Sequence, residues 1–247
     1  MAPRLTSPGK AWRNHEACSR PSRRRSDSGK TGGTMPETDE TLMYLIRHGA
    51  TPANEQRPYV LQGHGIDTAL SETGRRQAEA VSGFLASRPL DIILSSPMQR
   101  ARETALAIAR PHGLEVGVLE TLTECDVGRW EGRDWGSIMQ EDPEAYQRFM
   151  DDPSVDGYPE GETYGDVLQR VEGVLDKVLA DHRGQAVVVV AHNIVNRVYV
   201  ARLMGWSLSR AREIRQDNTG INVIRGRDDE TTLLSFNVRF HLDDAGL

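Results

Sequence analysis

The stretch Leu42-Met43-Tyr44-Leu45-Ile46-Arg47-His48-Gly49 decides the fold. Its apolar run is too short for a buried helix and predicts a strand covered on both faces, the pattern of parallel sheets. The run then breaks into a cation, an imidazole and a flexible glycine. Outward from it, strand and helix signals alternate. Residues 74–86 read as a helix with Ala78, Val81 and Leu85 on one face, 92–94 as a strand, 98–110 as a helix and 116–119 as a short strand. Residues 163–181 form a long helical pattern with Val167, Val171, Leu175 and Val178 aligned. Residues 187–191 give the strongest strand, 193–204 a helix, and 221–224 with 232–236 a closing hairpin. This alternation predicts a three-layer α/β/α sandwich with a mainly parallel sheet. Ligands in such sheets sit beyond the carboxyl ends of the strands.

Composition bounds what such a chain can do. Its 247 residues are 38% hydrophobic and 27% charged, a globular balance with a net charge of -6, which excludes a basic nucleic-acid binder and points to a small-molecule partner. The longest wholly apolar run, 186–191, is far below the roughly 20 residues that cross a bilayer. Two cysteines, Cys18 and Cys125, build neither a disulfide framework nor a thiolate zinc site, so a cytoplasmic protein is expected. A homodimer is left open.

Charge is uneven along the chain. Residues 1–35 carry eight Lys or Arg against only Glu16 and Asp27, a local charge of +6, and the remainder carries -12. Residues 1–40 lack apolar periodicity and are read as a disordered basic tail, with one folded domain over 41–247. The tail fits a transit peptide, a nucleic-acid or membrane arm, or an early start codon; the last is favoured, because Met35 stands just ahead of the first strand. Gly29-Lys30-Thr31 is not a phosphate-binding loop, since Arg24 occupies the place of its first glycine.

Three strand ends carry chemistry. Arg47-His48 follows the first strand, His192 follows 187–191, and Arg100 falls on the first turn of the helix after Ser95-Ser96-Pro97. Any one of these residues alone is most often a solvated loop residue. Two His and two Arg together at the ends of three strands are rarely placed by chance, and an arginine at a helix amino end favours a phosphate.

The run Leu45-Ile46-Arg47-His48-Gly49 with Thr51 and Asn54, then Gln62-Gly63, Asp67 and Leu70-Ser71-Glu72-Thr73-Gly74, resembles the start of the histidine phosphatase superfamily, phosphoglycerate mutase-like branch. Ser95-Ser96-Pro97 with Arg100, Glu124 with Gly128, Trp130 and Glu131, and Val189-Val190-Ala191-His192 resemble its later blocks, in the same order. The resemblance implies a phosphoglycerate mutase-like fold and a phosphomonoesterase. His48 would be the phosphorylated nucleophile, Arg47, Arg100 and His192 would hold the phosphoryl oxygens, and Glu124 would be the general acid. Glu120, Asp126 and Glu131 are near rivals, and only the spacing to Gly128 and Trp130 selects Glu124. Thr51, Asn54, Arg57, Gln62 and Asn193 are expected at the substrate. Asn193 stands where glycine is usual, and capping of the next helix is its safer role. Ala50 stands where an acid is common, which makes the pocket more positive. Tyr59, Tyr158, Glu162, Thr163, Asn196 and Asn218 complete the candidate mouth.

The expected reaction is metal-independent hydrolysis of a small phosphate ester, such as a phosphosugar, without cofactor. Fixed guanidiniums stabilise the transferring group, and a neutral imidazole, its Nδ1 tied to a backbone carbonyl, attacks phosphorus. The seven histidines show no zinc-protease spacing. A mutase and a non-catalytic phosphate-binding module on the same fold are the alternatives. His192 follows Glu124 by only 68 positions, and the chain stops soon after its last strand, which favours a phosphatase open to water.

Overall fold

A computed structural model describes Glu37 and residues 39–247, so the predicted tail lies almost wholly outside the described residues. In chain order the strands are β1 (Glu40–Arg47), β2 (Ile92–Ser95), β3 (Val116–Val118), β4 (Ala186–Ala191), β5 (Ile221–Arg227) and β6 (Glu230–Val238). The helices are α1 (Pro52–Glu55), α2 (Glu72–Leu85), α3 (Gln99–Ala109), α4 (Trp135–Glu141), α5 (Pro143–Asp151), α6 (Tyr164–Asp181), α7 (Asn193–Leu203) and α8 (Phe240–Asp244). The strands form one six-stranded sheet in the order β3-β2-β4-β1-β5-β6. β1, β2, β3 and β4 pair in parallel, and β5 and β6 add the antiparallel hairpin expected of the carboxyl end.

Side-chain alternation along the buried strands makes the two outer layers. Met43, Leu45, Val187 and Val189 point to one face and pack with Val171 and Leu175 of α6 and Val195 and Tyr199 of α7. Tyr44, Ile46, Val188 and Val190 point to the other and pack with Val81 and Leu85 of α2 and Ala101 and Ile108 of α3. Every residue of β4 is buried, as its unbroken apolar run requires at the sheet centre. The three-layer α/β/α sandwich is as expected. Among the described residues no helix is long and apolar enough to cross a membrane.

Two helices begin earlier or later than the periodicity suggested, each because of its cap. Ser71 accepts from the Gly74 amide at 3.0 Å, so α2 starts at Glu72, two residues before the first glycine. Thr163 forms a capping box with Asp166, so α6 starts at Tyr164.

Candidate active site

Parallel register places the two histidines side by side. Arg47 pairs with Ala191 across β1 and β4, and each strand ends one residue before its histidine. The His48 and His192 rings lie with centroids 5.2 Å apart, and both are buried. β2 is the other neighbour of β4, so α3 delivers Arg100 to the same point.

His48 is fixed in one tautomer. Its Nδ1 lies 2.7 Å from the Gly49 carbonyl and donates to it, while Arg100 Nε donates to His48 Nε2 at 3.2 Å. The backbone carbonyl expected to orient the imidazole is therefore that of the next residue. Burial, then the charges of Arg100 and Arg47, hold the His48 pKa well below the usual imidazole value, which keeps the ring neutral. Burial first, then Arg100, does the same for His192.

The cations are clamped by backbone. Arg100 is fully buried and donates Nη1 to Ile66 O and Nη2 to Gly63 O, both at 2.9 Å, with Asp67 at 3.6 Å. Arg47 donates Nη1 to Gln216 O at 2.7 Å, and the Gln216 amide is in turn locked to Asn222. Thr104, one turn beyond Arg100 on α3, accepts from the Gly49 amide at 3.0 Å and ties that helix to the His48 loop. Asn218 donates to the His48 carbonyl at 3.0 Å from the other side.

Glu124 sits at the amino end of α7. Its carboxylate accepts from the backbone amides of Asn193 at 2.9 Å, Ile194 at 3.2 Å and Cys125 at 2.9 Å. Arg170 of α6 holds the loop that carries it, donating to the carbonyls of Thr121, Thr123 and Glu124 while paired with Glu162. Geometry separates Glu124 from its rivals. Glu120 is exposed, Asp126 accepts from the Gly128 amide, and Glu131 accepts from the amides of Gly63 and Gly65. Of the four acids only Glu124 lines the cavity that His48 opens into, which has a volume of about 570 Å³.

Asn54, Gln62 and Asn193 line that cavity, as do Tyr59 and Tyr158. Three expectations need correction. Arg57 does not face the cavity: its exposed guanidinium donates to the carbonyls of Asn54 and Gln56, the free carbonyls at the end of α1. Thr51 is buried behind it, its hydroxyl spent on the α1 capping box and on Gln62 Oε1 at 2.6 Å. Asn193 does not cap α7, because His192 holds the extended cap position and Asn193 is already helical. Its Oδ1 is buried without a partner among the described residues, and the residue lines the cavity. Among the remaining mouth candidates, Glu162, Thr163 and Asn196 are structural: they pair with Arg170, cap α6 and pack beneath the site, respectively.

Sequence reasoning missed several residues here. Thr104 and Arg197 had a signal, each lying four residues after a nominated one on the same helix face. Arg170, Arg212 and Gln216 had none, since only the tertiary fold brings them near. Among the described residues no group of three or more His, Cys, Asp or Glu is placed to hold a metal ion.

The arrangement is a buried cationic floor with a neutral imidazole at its centre and a carboxyl group at its edge. Similar proteins bear on it directly. Residues 43–239 match the model of the histidine phosphatase superfamily, branch 1. The chain is 34% identical over 202 residues to phosphoserine phosphatase 1 of Hydrogenobacter thermophilus, covering 82% of this chain and 94% of that protein. It is 31% identical over 216 residues to the metal-independent phosphoserine phosphatase of Arabidopsis thaliana, covering 85% and 87% respectively. The crystal structure of phosphoserine phosphatase from Entamoeba histolytica in complex with 3-phosphoglyceric acid superposes with a TM-score of 0.72 at 28% identity, covering 82% of this chain and 99% of that one. The chain thus belongs to the histidine phosphatase superfamily, branch 1.

Proposed function

We propose that this phosphomonoesterase works without a metal, passing the phosphoryl group of a small ester to His48 Nε2 and then to water. The observation that carries this reading is the pair of buried nitrogens at the floor, Arg47 Nε and His192 Nδ1, which have no protein partner among the described residues. Ser96 Oγ lies 2.7 Å from His192 Nε2, and we assign the Ser96 hydroxyl as the donor there, which puts the ring hydrogen on Nδ1. Two donors buried beside His48 fit a phosphoryl oxygen acceptor.

Attack proceeds from the Nε2 lone pair on phosphorus as the ester P–O bond breaks, and Glu124 delivers a proton to the departing oxygen. The carboxylate left behind takes a proton from water as that water attacks the phosphohistidine, which restores both groups. Arg47 and Arg100 stay charged throughout and bind the equatorial oxygens. Phosphorylated hydroxy acids come first among the esters to test, because two of the relatives are named for phosphoserine. We place the enzyme in the cytoplasm, where the buried free thiol of Cys125 stays reduced.

The roles are tested with Glu124→Gln. In millimolar EDTA, the wild type is expected to hydrolyse both p-nitrophenyl phosphate and O-phosphoserine. The variant should lose about 100-fold more kcat on phosphoserine, whose alkoxide needs the proton, than on the nitrophenyl ester. Equal losses on both esters would remove Glu124 as the acid, and loss of wild-type activity in EDTA would remove the metal-free mechanism.

A further inference from the structure

The cavity extends well past the histidines. At about 570 Å³ it lies in the range that encloses drug-sized ligands, and a phosphorylated amino acid fills only part of it. One wall is a set of interlocked rings. Phe149 packs on Tyr158 with centroids 4.6 Å apart and on Trp135 at 5.7 Å, and Trp135 meets Tyr146 at 6.1 Å. These rings come from α4, α5 and the loop before α6.

Two guanidiniums face the same space. Arg197 follows Asn193 by one turn of α7, about 6 Å along the helix axis, so it stands beyond the phosphoryl end. Its Nε donates to Ile214 O at 2.8 Å, which anchors the stem and leaves the two terminal nitrogens free of protein partners among the described residues. Arg212 closes the rim, held by the Met150 carbonyl. Neither has a carboxylate within salt-bridge distance among the described residues. Arg215 at the same rim differs, being paired with Asp217 at 2.9 Å. Arg197 and Arg212 are both half-buried. Leaving two such cations uncompensated beside Arg47 costs stability, and an anion in the cavity offsets that cost.

We propose that Arg197 and Arg212 bind a carboxylate on the alcohol portion of the substrate, while the ring wall takes an apolar or aromatic body between that carboxylate and the phosphate. The substrate class is then a phosphate ester of a bulky hydroxy acid, larger than phosphoserine. This rests on the phosphomonoesterase reading above.

The test separates binding from turnover. Calorimetry compares 4-carboxybenzylphosphonate with benzylphosphonate, neither of which can be hydrolysed. The wild type is expected to bind the carboxylate compound about tenfold tighter, as one charged hydrogen-bonded contact provides. Arg197→Gln and Arg212→Gln should each erase most of that preference, with thermal melts verifying that both fold. In turnover, 4-carboxybenzyl phosphate, which leaves as a primary alkoxide like O-phosphoserine, should exceed O-phosphoserine in kcat/KM. Equal binding of the two phosphonates by the wild type, or a preference retained in both variants, overturns the carboxylate subsite. Phosphoserine as the better substrate overturns the role of the ring wall. A wild type that discriminates between the phosphonates yet hydrolyses neither ester keeps the subsite and removes the phosphatase reading instead.

Discussion

Arg100 shows why the floor of this site needs guanidinium. Its three nitrogens reach His48 Nε2, Ile66 O and Gly63 O from one plane, and the Asp67 carboxylate balances part of its charge. A lysine would keep the charge and lose that fork. Arg100→Lys is therefore expected to lower kcat/KM at least about 100-fold, on the scale of removing one preorganised donor. Steady-state kinetics on p-nitrophenyl phosphate checks this, and near wild-type activity would show that charge alone suffices. Arg100 was legible in the sequence because it begins a helix directly after a strand. The positions of Arg57 and Thr51 were not. Both lie on a loop where side-chain hydrogen bonds to nearby backbone compete with ligand contact, and the local competition won.

Among the elements, the first turn of α2 sets how closely the His48 loop can lie. A Cβ on Gly74 would sit 1.9 Å from the Ala50 carbonyl oxygen, and one on Gly49 would sit 2.5 Å from the Gly74 oxygen. The two glycines let the His48-Gly49-Ala50 segment rest on the helix backbone, where nothing can give way. Gly74→Ala should cost at least about 2 kcal/mol and lower kcat by displacing the His48 loop. Gly83, on the same helix with open space around it, gives the opposite expectation: Gly83→Ala should add about 0.5–1 kcal/mol with kcat unchanged. Chemical denaturation of both variants measures the contrast, and a neutral Gly74→Ala would mean that the loop does not depend on this contact. The helices and central strands were readable because their periodicity spans several turns or an unbroken apolar run. α4 and α5 were not read as separate helices, since they are short and owe their place to the ring cluster around Trp130 and Phe149.

For the molecule as a whole, placing the site at three strand ends buries two imidazoles in their neutral form. Unfolded, His48 and His192 take up protons as the pH falls through about 6.5, whereas folded they do not, so folded stability falls with pH. Each ring contributes up to about 1.4 kcal/mol per pH unit over that interval. The melting temperature should therefore drop between pH 7.5 and 5, less steeply in His48→Asn; an equal slope in that variant would mean that His48 is protonated in the fold. The mainly parallel sheet and the meeting of the two histidines followed from the sequence because parallel strands bring their carboxyl ends to one edge, whereas the strand order came only with the fold. Of the far half of the cavity only Tyr158 was nominated, since Arg212 and the rest of the ring wall converge only through tertiary packing. The central claim is the covalent step at His48. Rapid quench of the wild type with labelled phosphate ester under single-turnover conditions is expected to trap acid-labile, base-stable phosphate on the protein, and His48→Ala is expected to trap none and turn nothing over. Fast hydrolysis by the wild type with no trapped phosphate, or base-stable label persisting in His48→Ala, would contradict it.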